Sequence, residues 1–254
     1  MSYKLWDFFK ALQTDYESVD LTHPLDNDSP YWSGISEGSV ELGKTCFDWG
    51  NPMLECLIQT FKFPGQFGTH IDFPGHFVKN APLSDNYGVR DMIYPLCVID
   101  ITEKVKADVH YAATAEDIKA YEKIYGAIPD GAFVALRTDW SKKWSEGLDA
   151  ISGIAEDGSE NFPGWSLDAL KYIYETRNAA ASGHETLDTD ASAEAAKAGD
   201  LACERYLLSK GKLQVEVMTN LDKVARAGAL LFVAWPNIKG ATGLPARLVA
   251  ITPK

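Results

Sequence analysis

The sequence predicts an α/β protein: a single domain over residues 1–254 in which a mixed central β-sheet is flanked by helices. Three observations predict it. Apolar runs of strand length recur at 94–101, 132–136 and 230–234, each too short for a helix of ordinary length. Helical periodicity fills much of the chain between them, the interleaving expected of a sheet covered by helices. Several neighbouring strand segments stand too close together to allow a helical crossover, so part of the sheet must be antiparallel.

The elements follow in order. Leu5, Phe8, Phe9, Leu12 and Tyr16 have helical spacing and predict a helix over 3–17. Residues 20–25 read as a short strand stopped by Pro24, and 26–38, rich in Asp, Asn, Ser, Pro and Gly, as a loop. Residues 54–63 carry the Ile, Phe and Thr of a strand. A helix is predicted from Thr114 to a stop at Gly126. Another follows 163–165, with Ser166 as N-cap and Leu170, Ile173 and Tyr174 on one face. A third covers 191–210 and ends at Gly211. Residues 213–218 and 246–252 are the last strands.

Composition narrows the function. The 254 residues are 46% hydrophobic and 24% charged, a globular balance, with a net charge of −12. So acidic a chain is a poor non-specific ligand for nucleic acid or an anionic membrane, and neither is expected as a partner. The longest apolar run, 227–235, falls far short of the ~20 residues a membrane span needs. The first residues lack the apolar core of a signal peptide, so a cytoplasmic location is expected. Cys46, Cys56, Cys97 and Cys203 form no Cys-x-x-Cys pair and are expected as buried or semi-buried free thiols.

The informative segment is 64–77, which holds Gln66, His70, Asp72 and His76, two of the chain's five histidines among them. If His70 to Asp72 is extended, both side chains point to one face, because strands alternate with period two. Gly68 allows a close backbone approach, and Pro74-Gly75 turns the chain so that His76 comes back over the same site. A metal or acid/base site and a hydrogen-bonded structural pair both remain open on these residues alone. Further on, Glu204 lies in the third helix and Glu216 in a strand. An acid in an apolar strand needs a partner if buried, and otherwise faces solvent.

Residues 66–76 resemble the signature of the cyclase family of metal-dependent hydrolases, which includes bacterial kynurenine formamidases and isatin hydrolases. Residues 20–24, 31–34, 136–140, 183–190 and 219–222 are similar to further family segments in the expected order. Glu204 and Glu216 have the spacing of two of its metal ligands. The resemblance implies a swivelling β/β/α-like fold and a metal shell of Gln66, His70, Asp72, Glu204 and Glu216. It also implies His76 as catalytic acid/base, with Trp32 and His184 contacting substrate. Two family histidines are replaced here, by Gln66 and by Glu204. The shell becomes rich in oxygen, which favours manganese or magnesium over zinc. One or two divalent ions per chain are expected. The implied activity is hydrolysis of an amide-type carbon–nitrogen bond in a small molecule, an N-formyl arylamine or a cyclic amide, in a homo-oligomer (dimer or tetramer). The loss of two imidazoles also raises a non-catalytic metal- or small-molecule-binding protein on the same scaffold. His23 either lines the site or is structural, His110 is expected at the solvent, and Arg137 is expected to pair an acid at the sheet's end.

Overall fold

The computed structural model describes residues 3–254. The strands are β1 (Tyr16–Asp20), β2 (Glu41–Phe47), β3 (Ile58–Lys62), β4 (His70–Asp72), β5 (Ile93–Asp100), β6 (Ala112–Ala113), β7 (Phe133–Arg137), β8 (Gly164–Trp165), β9 (Ala181–His184), β10 (Leu213–Glu216), β11 (Ala229–Ala234), β12 (Gly243–Pro245) and β13 (Arg247–Pro253). The α-helices are α1 (Lys4–Thr14), α2 (Thr102–Ala107), α3 (Ala115–Tyr125), α4 (Leu148–Ser152), α5 (Leu167–Lys171), α6 (Ser192–Ala198) and α7 (Ala202–Ser209).

Nine of these strands form one sheet in the order β1-β13-β11-β5-β7-β9-β10-β4-β12. The central run β5-β7-β9-β10 is parallel, and antiparallel strands extend it on both sides. The mixed sheet expected from the strand spacing is therefore present. The parallel pairs are separated in sequence by helical segments, as parallel crossovers require.

Alternation along β5 shows how the sheet is covered. Leu96 and Val98 join a core that draws on strands from both ends of the sheet, including Val19 of β1 and Leu244 of β12. The sheet curls around that core. Cys97 and Ile99 point the other way and pack with Ile118, Leu170 and Leu207 from the helices. A fully buried side chain such as Phe133 or Ile118 contributes about 1.5–3 kcal/mol by leaving water.

Two helices start where the sequence placed them, each on a side-chain cap. The Thr114 hydroxyl accepts from the Asp117 amide, and the Ser166 hydroxyl accepts from the Ala169 amide. Five expectations are corrected. The helix of 3–17 ends at Thr14, and the strand expected at 20–25 sits earlier, at β1, where it pairs with β13. The strand of 54–63 contracts to β3, whose hairpin partner β2 was not predicted. The single helix of 191–210 is two helices. Gly199 takes a left-handed φ of 64° and caps α6, and α7 restarts at Ala202. The strand of 213–218 stops at Glu216, because Val217 leaves the extended region. Arg137 pairs with Asp100 and Asp139 at the end of β7, as expected.

Candidate metal centre

The site is a consequence of register. On β4 and β10, Asp72 opposes Gln214 and His70 opposes Glu216. Ile71 and Val215 between them point into the curled core. Period two therefore sends His70, Asp72, Gln214 and Glu216 together to the opposite face. On the next strand, Ser182 and His184 share that face, because Ser182 is register partner to Gln214. On β7 the same face carries Val134 and Leu136, which pack against helices. Crossing from β7 to β4, the helical side of the sheet changes from apolar to polar.

His70, Asp72 and Glu216 place one donor atom each within 4.8 Å of one another, and all three are buried. His70 Nδ1 lies 2.8 Å from the Gly68 carbonyl, which can only accept. Nδ1 therefore carries its proton and Nε2 faces inward. That Nε2 stands 3.3 Å from Asp72 Oδ2 and 3.3 Å from Glu216 Oε2. It is nonetheless a buried atom without a hydrogen-bond partner. Donors sharing one ion through bonds of about 2.1 Å lie roughly 3 to 3.4 Å apart, so these spacings suit a common cation better than a hydrogen-bonded pair. Burial works against a charged His70, yet the carboxylates of Asp72 and Glu216 overcome it and raise its pKa well above the usual value. Asp72 is also fully buried, but His70, His76 and Gln66 hold its pKa below the ordinary one. The site demands positive charge, and the residues fit a divalent ion.

Gln66 and Glu204 are near but differently engaged. Gln66 Nε2 donates to Asp72 Oδ1 at 3.1 Å. Room for that side chain comes from Gly243 on β12, the register partner of Asp72. A Cβ there would lie 2.2 Å from Gln66 Nε2 and 2.7 Å from Asp72 Oδ1. Glu204 is brought in by α7. Burial, then the carboxylates of Glu216 and Asp72, push its pKa well above the usual range. His76 sits on a short 3₁₀ turn, Pro74–His76, with Nε2 3.9 Å from Glu204 Oε1 and a side chain 30% exposed. It faces the cluster from the solvent side.

Gln214 escaped the sequence reading. It is fully buried, and its Nε2 lies 3.0 Å from Glu204 Oε1, 3.0 Å from Glu216 Oε1 and 3.3 Å from Asp72 Oδ2. Its Oε1 accepts from Thr189 at 2.6 Å, which fixes the amide's orientation. The signal was available: Gln214 is two residues before Glu216 in a strand and so shares its face. Asp188 was missed too. Its pKa rises to about 7 through burial and then the nearby charges of Glu216, Glu160 and Asp190.

His184 lies behind Glu216, fully buried, with Nε2 3.4 Å from Glu216 Oε1 and Nδ1 turned to Thr186. The neighbouring Glu185 accepts from the Thr138 and Asp139 amides and from the hydroxyls of Thr138 and Ser141, tying the end of β7 to β9. Trp32 stands apart on the exposed loop, its ring over Gly34. His23 is buried and stacks on Trp144 at 4.4 Å between ring centroids. His110 corrects its expectation: it is half-buried and bonded to Ser192 Oγ at 3.0 Å. Cys46 is exposed, although a buried or semi-buried thiol was expected there.

Comparison with known proteins places the chain in a family. A family model described as a putative cyclase matches residues 19–191. The chain belongs to that cyclase family. The isatin hydrolase of Roseibium aggregatum is 31% identical over 191 residues, which are 74% of this chain and 72% of that protein. The solved structure of isatin hydrolase A from Labrenzia aggregata bound to benzyl benzoate has 27% identity and a TM-score of 0.88, covering 99% of this chain and 100% of that one. Isatin hydrolase A from Ralstonia solanacearum has 26% identity and a TM-score of 0.85, covering 99% and 98%. A structure described as a potential metal-dependent hydrolase with cyclase activity shares the fold at a TM-score of 0.67 and 19% identity. This chain is a hydrolytic enzyme, and the non-catalytic alternative is not favoured. Among the described residues, no helix is long and apolar enough to cross a membrane.

Proposed function

We propose that residues 1–254 form one catalytic domain that hydrolyses the carbon–nitrogen bond of a small amide, with a cyclic aryl amide such as isatin as the first choice and an N-formyl arylamine as the second. The observation that carries this reading is the buried, unpartnered His70 Nε2 facing the carboxylates of Asp72 and Glu216, with the exposed His76 at the mouth. Likeness to isatin hydrolases over nearly the whole chain supports the substrate class.

A divalent ion held by His70, Asp72 and Glu216 would supply Lewis acidity to the scissile carbonyl and acidify a water. The chain's own residues do the rest. Gln66 and Gln214 donate to Asp72, and Gln214 also bridges Glu204 and Glu216, so that the carboxylates are held apart in fixed directions. His184 packs behind Glu216, its Nε2 3.4 Å from Glu216 Oε1. His76 takes the proton from the attacking water and returns it to the leaving nitrogen. The exposed Trp32 is the aromatic we assign to stacking on the substrate.

The reading takes one ion per chain, because the Gln214 amide nitrogen fills the space among Asp72, Glu204 and Glu216 that a second cation would need. Two carboxylates beside a single imidazole favour manganese over zinc. The enzyme is assigned to the cytoplasm. A homo-oligomer accounts for the apolar side chains left exposed on α1 (Leu5, Trp6) and on β3 (Phe61).

The test is a substrate panel of isatin, N-formyl aniline and an aryl ester, run with manganese-loaded protein. Ring opening of isatin as the fastest reaction supports the assignment. Turnover of the ester alone would exclude amide hydrolysis as the function.

A further inference from the structure

Beyond Glu216 the backbone does something a valine rarely does. Val217 is fully buried and sits at φ 56°, in the left-handed region. A β-branched residue there is a steric outlier, which the surroundings must hold in place. The peptide groups on both sides are committed. The Val217 amide donates to the Thr186 carbonyl at 3.2 Å, and the Met218 amide donates to the His184 carbonyl at 2.8 Å. The Val217 carbonyl accepts from the Thr69 hydroxyl at 2.6 Å.

Thr69 is equally committed. It is fully buried and directly precedes His70. Its hydroxyl oxygen accepts from the His23 amide at 3.0 Å, so its one proton is left for Val217. Its carbonyl accepts from the Ala246 amide at 3.0 Å. Extending the β4–β10 register by one step past His70–Glu216 brings Thr69 opposite Val217. The hydroxyl thus ties the residue before one metal-site side chain to the residue after the other, at the point where the backbone is strained.

We propose that Thr69 is a positioning residue: its hydroxyl holds the left-handed Val217 peptide and thereby fixes Glu216 across from His70. The inference rests on the metal reading above. It differs from a purely structural role, in which the same bond would support the fold without setting the affinity of the site.

The test is titration of metal-free protein with Mn²⁺, read as Kd, alongside thermal unfolding of the metal-free form. Thr69→Val keeps the shape and removes the hydroxyl. Thr69→Ala does so without placing a methyl against the carbonyl, should the valine variant fail to fold. Thr69→Ser keeps the hydroxyl. Thr252→Val removes a different buried side-chain hydrogen bond, the one from the Ala225 amide, far along the sheet order. The expected result is a Kd raised about 10- to 100-fold in Thr69→Val or Thr69→Ala, the usual effect of losing support behind a ligand. Thr69→Ser and Thr252→Val should stay near wild type, although Thr252→Val melts earlier. Unchanged affinity in Thr69→Val and Thr69→Ala, or equal loss in Thr69→Ser, overturns the inference while leaving the metal reading intact. Wild-type protein that binds no Mn²⁺ overturns both.

Discussion

His70 and Glu216 are direct register partners on antiparallel strands, and their Nε2 and Oε2 atoms stand 3.3 Å apart without a hydrogen bond between them. Two residues 146 positions apart in the sequence thus form one edge of a cation site, because a three-residue strand meets a four-residue one.

The first prediction follows from that edge. His70→Ala and Asp72→Ala should each remove most of the bound metal, since each deletes one of the few donors in the cluster. Metal content of purified protein by elemental analysis checks it. Full occupancy in both variants would move the site elsewhere.

His76 should behave differently. It lies outside the three-residue cluster and on its solvent side, so His76→Ala should keep its metal and its fold. Turnover should fall by about 10² to 10⁴, the usual contribution of a positioned acid or base. Loss of metal in this variant would make His76 a ligand. An activated ester, whose leaving group needs no proton, should be affected less.

Gly243 tests the packing around Asp72. A methyl there would press on Gln66 and on the Asp72 carboxylate, and overpacking a filled site costs about 1–3 kcal/mol. Gly243→Ala should lower the melting temperature and weaken metal binding together. Pairing it with Gln66→Ala, which vacates the space, should recover part of the stability. A Gly243→Ala protein that melts like wild type would mean that the strand shifts to make room.

Metal preference is a separate matter. With Gln66 and Glu204 in place, Mn²⁺ should support at least as much turnover as Zn²⁺. The double change Gln66→His with Glu204→His should move the preference toward zinc. Steady-state rates of metal-free protein reconstituted with each ion check this, and an unchanged ratio would show that the two oxygen-bearing residues do not tune the site.

Stability should carry a mark of His23. Burial lowers its pKa from 6.5 to about 4. The folded state then binds fewer protons than the unfolded chain between those values, so this residue's contribution to stability rises with pH across that window. The penalty begins as pH falls below 6.5 and is complete below about 4, amounting to at most about 3 kcal/mol. His23→Phe keeps a ring against Trp144 and should flatten the rise of melting temperature between pH 4.5 and 6.5. An unchanged slope would assign the acid sensitivity to other groups.

How far the site was legible depended on whether its residues were local. His70, Asp72 and His76 fall within seven residues, and the period of a strand was enough to place the first two on one face. Gln214 shared a readable face with Glu216, but an amide there gains meaning only when β10 is laid against β4. The apolar runs of β5 and β7 were readable because burial on both faces over most of their length leaves few polar positions, and that of β11 because its half-buried face is apolar as well. The break between α6 and α7 was written in Gly199-Asp200 but masked by the alanine-rich run around it. The β2 half of the β2–β3 hairpin lacked such a signal: its side chains are largely exposed, so no buried face imposed a pattern. Val217 shows the limit of propensity, since nothing local to a valine predicts a left-handed backbone.

The central claim is that hydrolysis requires an ion held by His70, Asp72 and Glu216. It is tested most directly by following isatin ring opening while Mn²⁺ is titrated into chelator-treated protein. The account predicts no turnover without metal and a rate that climbs to a plateau at one ion per chain. Metal-free protein that opens isatin as fast as the loaded enzyme would contradict it.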